Sequence, residues 1–289
     1  MAISTSAVGM ALGQRACQLT PRRMLAYAAG LGDASPQVFD DLNPDFMAHP
    51  AFCVTLEWPL VSDPAVLGAL VPDVRERQAA VHLIQDSHFH RPMRSGDRLR
   101  TAGTVTGVWR GQSGTRVAST LRTTLEDGTP VATSHTVAVY RGVEALGDDR
   151  PPTGLPRLPA ADDAGYGEEQ AISLTIDRTL PHRYTECSGI WNPIHTERRV
   201  AQAAGLPDVV LHGTATWALA GTELVRHLAG GDASRLKRLH GRFGALVFPG
   251  TVVQLRFRSK VGADGTAVMF SVLTADGRPA MADGHALLV

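Results

Sequence analysis

Cysteine is nearly absent: the 289 residues contain Cys17, Cys53 and Cys187 and no C-x-x-C pair. An odd, sparse set argues against a disulfide framework or a zinc ribbon and suits a reducing compartment, so the expected location is the cytoplasm. Charge of one sign is also lacking. Lys and Arg total 28, Asp and Glu total 28, which removes the electrostatic case for nucleic acid or an anionic membrane as a partner. No run approaches the roughly 18 apolar residues that a membrane helix needs. The first 23 residues have no basic stretch ahead of an apolar one and read as a frayed, Ala-rich tail rather than a signal peptide.

What remains is a core-forming composition, 44% hydrophobic and 19% charged, which argues against a disordered chain. One segment stands apart. From Glu144 to about Gln170 the chain is rich in Pro, Gly, Asp and Ala without apolar periodicity, which is linker chemistry. The expected division is a first domain over 1–145, a linker over 146–170 and a second domain over 171–289.

The two halves repeat each other. Tyr27 is followed at offsets of six, eight, nine and eleven by Asp33, Ser35, Pro36 and Val38, and Tyr184 at the same offsets by Ile190, Asn192, Pro193 and His195. Ser95-Gly96-Asp97 and Pro249-Gly250-Thr251 each precede a strand-like run, and Asp127-Gly128 and Asp276-Gly277 each mark a hairpin. Three coincidences in order indicate a tandem duplication. In the second half, 171–180 alternates like a strand and 196–205 reads as a short helix. Trp217, Ala220, Leu224 and Leu228 lie on one face of a long helix after Leu211-His212-Gly213, and Val253, Leu255 and Phe257 alternate with Gln254, Arg256 and Arg258. A long apolar helix followed by antiparallel strands predicts an α+β fold with the helix packed on a sheet. The first half repeats the order with AFCVTLEWPLVS in the helix position.

The segment Tyr184-Thr185-Glu186-Cys187-Ser188-Gly189-Ile190-Trp191-Asn192-Pro193-Ile194-His195, with Ala204-Gly205-Leu206-Pro207, Leu211-His212-Gly213, Arg242-Phe243 and Pro249-Gly250, resembles the MaoC-like family of (R)-specific enoyl-CoA hydratases and 3-hydroxyacyl-thioester dehydratases. The resemblance is strong over most of 171–289 and weak over about 20–145. It implies a tandem, or double, hotdog, each half a long central helix wrapped by an antiparallel sheet, with the first half's site degenerate. It also implies a hydro-lyase of fatty-acid or acyl-CoA metabolism with no cofactor beyond the CoA carried by the substrate. The partner is then an acyl-CoA or acyl-carrier thioester, with neither nucleic acid nor membrane. A homodimer is left open. His195, Asn192 and Gly213 are the expected catalytic positions: an imidazole that titrates near neutrality, an amide on the same loop to orient water, and a backbone N–H at a helix start for the thioester oxyanion.

The sequence departs from the family where its catalytic Asp belongs, because Ile190 stands there. Asp33 keeps a carboxylate in the first half, but Ser35 and Val38 replace the Asn and His. Glu186 and Glu197 are the candidate replacement carboxylates. Trp191, Arg242, Arg256 and Arg258 are candidates for substrate binding, each with core packing or surface solubility as its alternative. A metal site is not expected, since His88 and His90 lack further ligands at metal spacing. Two rival functions remain: a non-catalytic acyl-thioester-binding or partner subunit, and a hotdog thioesterase.

Overall fold

The computed structural model describes residues 2–78, 80–158 and 165–289, so the 159–164 part of the expected linker lies outside the described residues. The N-terminal half comprises β1 (Ala2–Ser4), β2 (Ala11–Gln18), α1 (Pro21–Leu31), α2 (Pro36–Phe39), α3 (Cys53–Val61), α4 (Pro64–Leu70), α5 (Val74–Gln78), β3 (Ala80–Phe89), β4 (Arg98–Gly111), β5 (Gly114–Leu125), β6 (Pro130–Arg141) and β7 (Glu144–Leu146). The C-terminal half comprises β8 (Gln170–Thr175), α6 (Leu180–Ser188), α7 (Arg198–Ala203), α8 (Gly213–Leu228), β9 (Leu236–Phe243), β10 (Val252–Gly262), β11 (Gly265–Leu273) and β12 (Pro279–Leu288).

Ten strands form one sheet in the order β2-β4-β5-β6-β3-β9-β12-β11-β10-β8. Counting strands within each half from its outer edge, the order is first, third, fourth, fifth, second in both. The halves therefore meet strand two to strand two, through antiparallel pairing of β3 with β9 from Ile84↔Arg242 to His88↔Arg238. The helices cover one face of this sheet, and one core cluster runs through both halves, from Tyr27 on α1 to Trp217 on α8 and Phe257 on β10. The fold is a double hotdog of the α+β class.

The two central helices differ in length. α8 runs 16 residues with Trp217, Ala220 and Leu224 fully buried. α3 runs nine, carries Pro59 inside and gives way to α4 after Ser62, because proline removes a backbone donor and crowds the preceding turn. Two further helices, α1 and α6, cross at close range. A Cβ on Gly30 would lie 2.7 Å from Cys187 Cβ, so glycine is what lets them approach. Gly30 and Cys187 each stand three residues after the repeated tyrosine, so the contact relates the halves to one another.

Three local expectations are corrected. The N-terminal residues are not frayed: β1 pairs in parallel with β7, and Ile3 is fully buried in a second apolar cluster. The strand expected over 171–180 ends at Thr175, where Thr179 N–H bonds Asp177 Oδ1 at 2.8 Å and turns the chain into α6. The helix expected over 196–205 is shorter, Arg198–Ala203. Beyond β7, the segment toward 158 lies along the sheet, with Arg150 and Val108 exchanging backbone hydrogen bonds at 2.8 Å.

Candidate active site

The loop between α6 and α7 carries the repeated motif. α6 ends at Gly189, whose φ of +71° closes the helix in the left-handed region. Asn192 then starts a short turn: its Oδ1 accepts the Ile194 N–H at 3.3 Å, and its carbonyl accepts the His195 N–H at 3.0 Å. This brings the His195 ring against the His212 ring, centroids 3.6 Å apart and planes within 24°. His195 Nδ1 lies 2.8 Å from Val210 O. A carbonyl can only accept, so Nδ1 bears the proton and Nε2 is left with the lone pair. Burial pushes the His195 pKa down to about 4, opposed only by the Val210 carbonyl. The ring is therefore neutral near pH 7 and able to take a proton.

His212 is 3% exposed. Its Nε2 donates to Ile190 O at 3.0 Å. Burial, and then the His195 ring, push its pKa down to about 2. It stands immediately before α8, and among the described residues no side chain caps that helix. Gly213 thus opens α8 with backbone donors that no side chain occupies, the arrangement that holds a developing oxyanion. A Cβ on Gly213 would meet the Phe243 ring at 3.0 Å. Tyr184 braces the floor: its ring is 5.0 Å from His212, and its hydroxyl bonds Thr214 Oγ1 at 3.1 Å and faces the Tyr27 hydroxyl at 3.3 Å.

The other candidates are not brought to this point. Ile190 is 5% exposed and supplies only its carbonyl. Glu186 is exposed on α6 and Glu197 is exposed just before α7, while the hydrogen bonds of His195 and His212 go to backbone carbonyls and to Thr185. Neither glutamate is among the hydrogen-bond partners of these two rings. Strand alternation sends Val253, Leu255 and Phe257 into the core under α8, so Arg256 and Arg258 project from the opposite face of the sheet, away from His195. Arg256 lies 3.6 Å from Glu169. Arg242 likewise faces away from its buried neighbour Phe243 and pairs with Asp283 at 2.6 Å. All three arginines lie on the outer face of the sheet. Trp191 is 57% exposed beside the loop, so core packing does not explain it.

Comparison with known proteins accords with this geometry. Residues 161–276 match the MaoC like domain, and residues 6–134 match the FAS1-like dehydratase domain region. The second half is a MaoC-like domain. The chain is 28% identical over 271 residues to the 3-hydroxyacyl-thioester dehydratase Y of Mycobacterium tuberculosis, covering 91% of this chain and 90% of the relative. It is 24% identical over 241 residues to the peroxisomal enoyl-CoA hydratase 2 of Arabidopsis thaliana, covering 79% and 78%. Among solved structures, a MaoC-like dehydratase from Phytophthora capsici superposes with a TM-score of 0.83 at 21% identity, covering 99% of this chain and 97% of that one. A Mycobacterium tuberculosis protein described as a double hotdog superposes at 0.62 with 16% identity, covering 97% and 95%. In the MaoC-like domain, the sequence signal that pointed to the site was the Asn192-Pro193 turn with His195. The stacked partner His212 was visible only as a neighbour of Gly213.

Proposed function

We propose that the chain is a hydro-lyase that adds or removes water across C2–C3 of an acyl thioester, carried by CoA or by a carrier protein. The observation that carries this reading is the His195 lone pair at Nε2 beside the uncapped start of α8. The thioester oxygen takes the Gly213 N–H. His195 Nε2 removes a proton from water as the oxygen bonds C3, and the same nitrogen returns a proton to C2. Asn192 is a positioning residue that holds the loop bearing His195. The reaction is proton transfer and calls for no separate cofactor. Residues 1–145 and 171–289 are read as the two functional domains. Among the described residues no helix is long and apolar enough to cross a membrane; the three free cysteines suit the cytoplasmic reading.

Ile190 in place of the family's Asp gives His195 no carboxylate to stabilise its protonated form, so a slow enzyme is the expectation. The same observation favours the rival binding subunit. The deciding assay mixes the protein with short, medium and branched 2-enoyl-CoA and follows loss of the conjugated-enoyl absorbance and release of free thiol in parallel, with His195→Ala as control. Absorbance loss without thiol, lowered about tenfold or more by the substitution, supports the hydro-lyase. Thiol release replaces it with a thioesterase, and thioester binding without turnover replaces it with the binding subunit.

A further inference from the structure

The two halves divide the parts of one site between them. By offset from the repeated tyrosine, Asp33 corresponds to Ile190 and Val38 to His195; by place, ahead of a helical turn and against that tyrosine's ring, His49 answers to His212 and Pro50 to Gly213. The C-terminal site has a base and a backbone donor without a carboxylate. The N-terminal position keeps the carboxylate, and Pro50 removes the backbone donor. Its imidazole comes from His49, ahead of α3, instead of from the loop.

These groups line a small pocket that opens to solvent. Asp33 is 6% exposed and His49 3%. The Ser35 N–H and hydroxyl both donate to Asp33 Oδ1, at 3.0 and 2.5 Å. Oδ2 is left facing His49, 4.0 Å from Nε2. His49 Nδ1 accepts the Ala51 N–H at 3.1 Å, so the ring proton sits on Nε2, 2.9 Å from Thr222 Oγ1 on α8. Burial pushes the His49 pKa down to about 4 against the pull of Asp33. The ring is thus a neutral N–H donor, the kind of group that polarises a carbonyl. A small neighbouring pocket shares Pro50, Ala233 and Leu236 with the first and adds Arg91 and Lys237. Arg91 Nη2 pairs with Asp97 at 3.2 Å, while Nη1 is buried without a hydrogen-bond partner among the described residues. A guanidinium with an unused donor suits a phosphate or another anionic group.

We propose that this N-terminal pocket is a second acid–base centre, in which Asp33 Oδ2 moves the proton, His49 Nε2–H holds a thioester oxygen and Arg91 meets the anionic carrier. The substrate class rests on the reading given above. In hydration, Oδ2 takes a proton from water, the water oxygen bonds C3, and the C2=C3 electron pair shifts to C1–C2 as the carbonyl becomes an enolate. Oδ2 then returns the proton to C2. One water is added, and nothing is oxidised or reduced. His49 exchanges Thr222 for the thioester oxygen, and the Thr222 hydroxyl keeps its bond to Ala218 O at 3.1 Å.

The test compares wild type, His195→Ala, Asp33→Asn and the double variant on trans-2-butenoyl-CoA and trans-2-octenoyl-CoA. The expected result is residual turnover in His195→Ala that falls a further ~100-fold or more when Asp33→Asn is added. Abolition of all turnover by His195→Ala, or no effect of Asp33→Asn in that background, overturns the second centre and leaves the C-terminal site standing. Full activity in His195→Ala with loss in Asp33→Asn does the reverse. A silent wild type sinks both. Should Asp33→Asn lower the melting temperature, Arg91→Ala reads the same pocket from its other end. It should raise the KM of the residual activity about tenfold with kcat little changed, and an unchanged KM overturns the proposal.

Discussion

Ile190 and His195 lie on one loop, and in the function proposed above Ile190 stands where a carboxylate would support the protonated ring. A half-buried, neutral imidazole with a pKa near 4 accepts a proton poorly. A carboxylate beside it would raise that value by stabilising the charged ring. Ile190→Asp is therefore expected to raise kcat on 2-enoyl-CoA by ~10- to 100-fold, at some loss of stability, because Ile190 is 5% exposed. An unchanged kcat in the folded variant would contradict this account of Ile190. Gly213→Ala should lower kcat by about 100-fold, since its Cβ would press on Phe243 at 3.0 Å and displace the N–H. The depressed His pKa also sets a direction for stability. The folded value lies below the unfolded one, near 6.5, so the contribution is present above pH 6.5 and is lost as pH falls toward 4. For His195 alone the loss at pH 5 is on the order of 2 kcal/mol. Urea midpoints at pH 7.5 and pH 5 measure it, and a midpoint that holds steady would rule it out.

At the scale of elements, the crossing of α1 and α6 is a close contact between the halves. Gly30→Ala should destabilise by about 1–3 kcal/mol, because the added Cβ would sit 2.7 Å from Cys187 Cβ and neither helix can retreat without moving a buried tyrosine. Chemical denaturation reads this directly, and a variant as stable as wild type would show that the helices yield freely. α8 and the strands of the second half were legible because their periodicity is local: Trp217, Ala220 and Leu224 mark a helical face, and Val253, Leu255 and Phe257 mark a strand face. The repeated offsets from Tyr27 and Tyr184 exposed the duplication. α1 and α6 escaped because short helices between turn signals carry little periodicity. The stacking of His195 on His212 joins residues 17 apart through a fold-level turn. Arg256 and Arg258 drew a substrate role from their charge, when the alternation of their own strand already turned them away from α8.

The whole molecule is held at the seam between β3 and β9. Asp86 and Arg238 face each other there through two hydrogen bonds of 2.9 and 2.7 Å. Burial works against the charge on Asp86, but His240, His88 and the Arg238 guanidinium hold its carboxyl far below the usual carboxylate range. Arg238 also reaches the carbonyls of Pro156 and Arg157, so the segment joining the halves is tied to the same pair. Asp86→Ala should cost about 1–3 kcal/mol by leaving a half-buried guanidinium without its counter-charge, and calorimetry should show a lowered transition. A transition at the wild-type temperature would mean that the pair contributes little.

The shared sheet has a further consequence, for inheritance. Two identical hotdogs in a symmetric dimer receive every substitution twice, so no change can touch one site and spare the other. Joined in a single chain, their equivalent positions are separate codons. Pro50 can stand opposite Gly213 and Asp33 opposite Ile190. The fusion frees each half to specialise while β3 and β9 keep both in register.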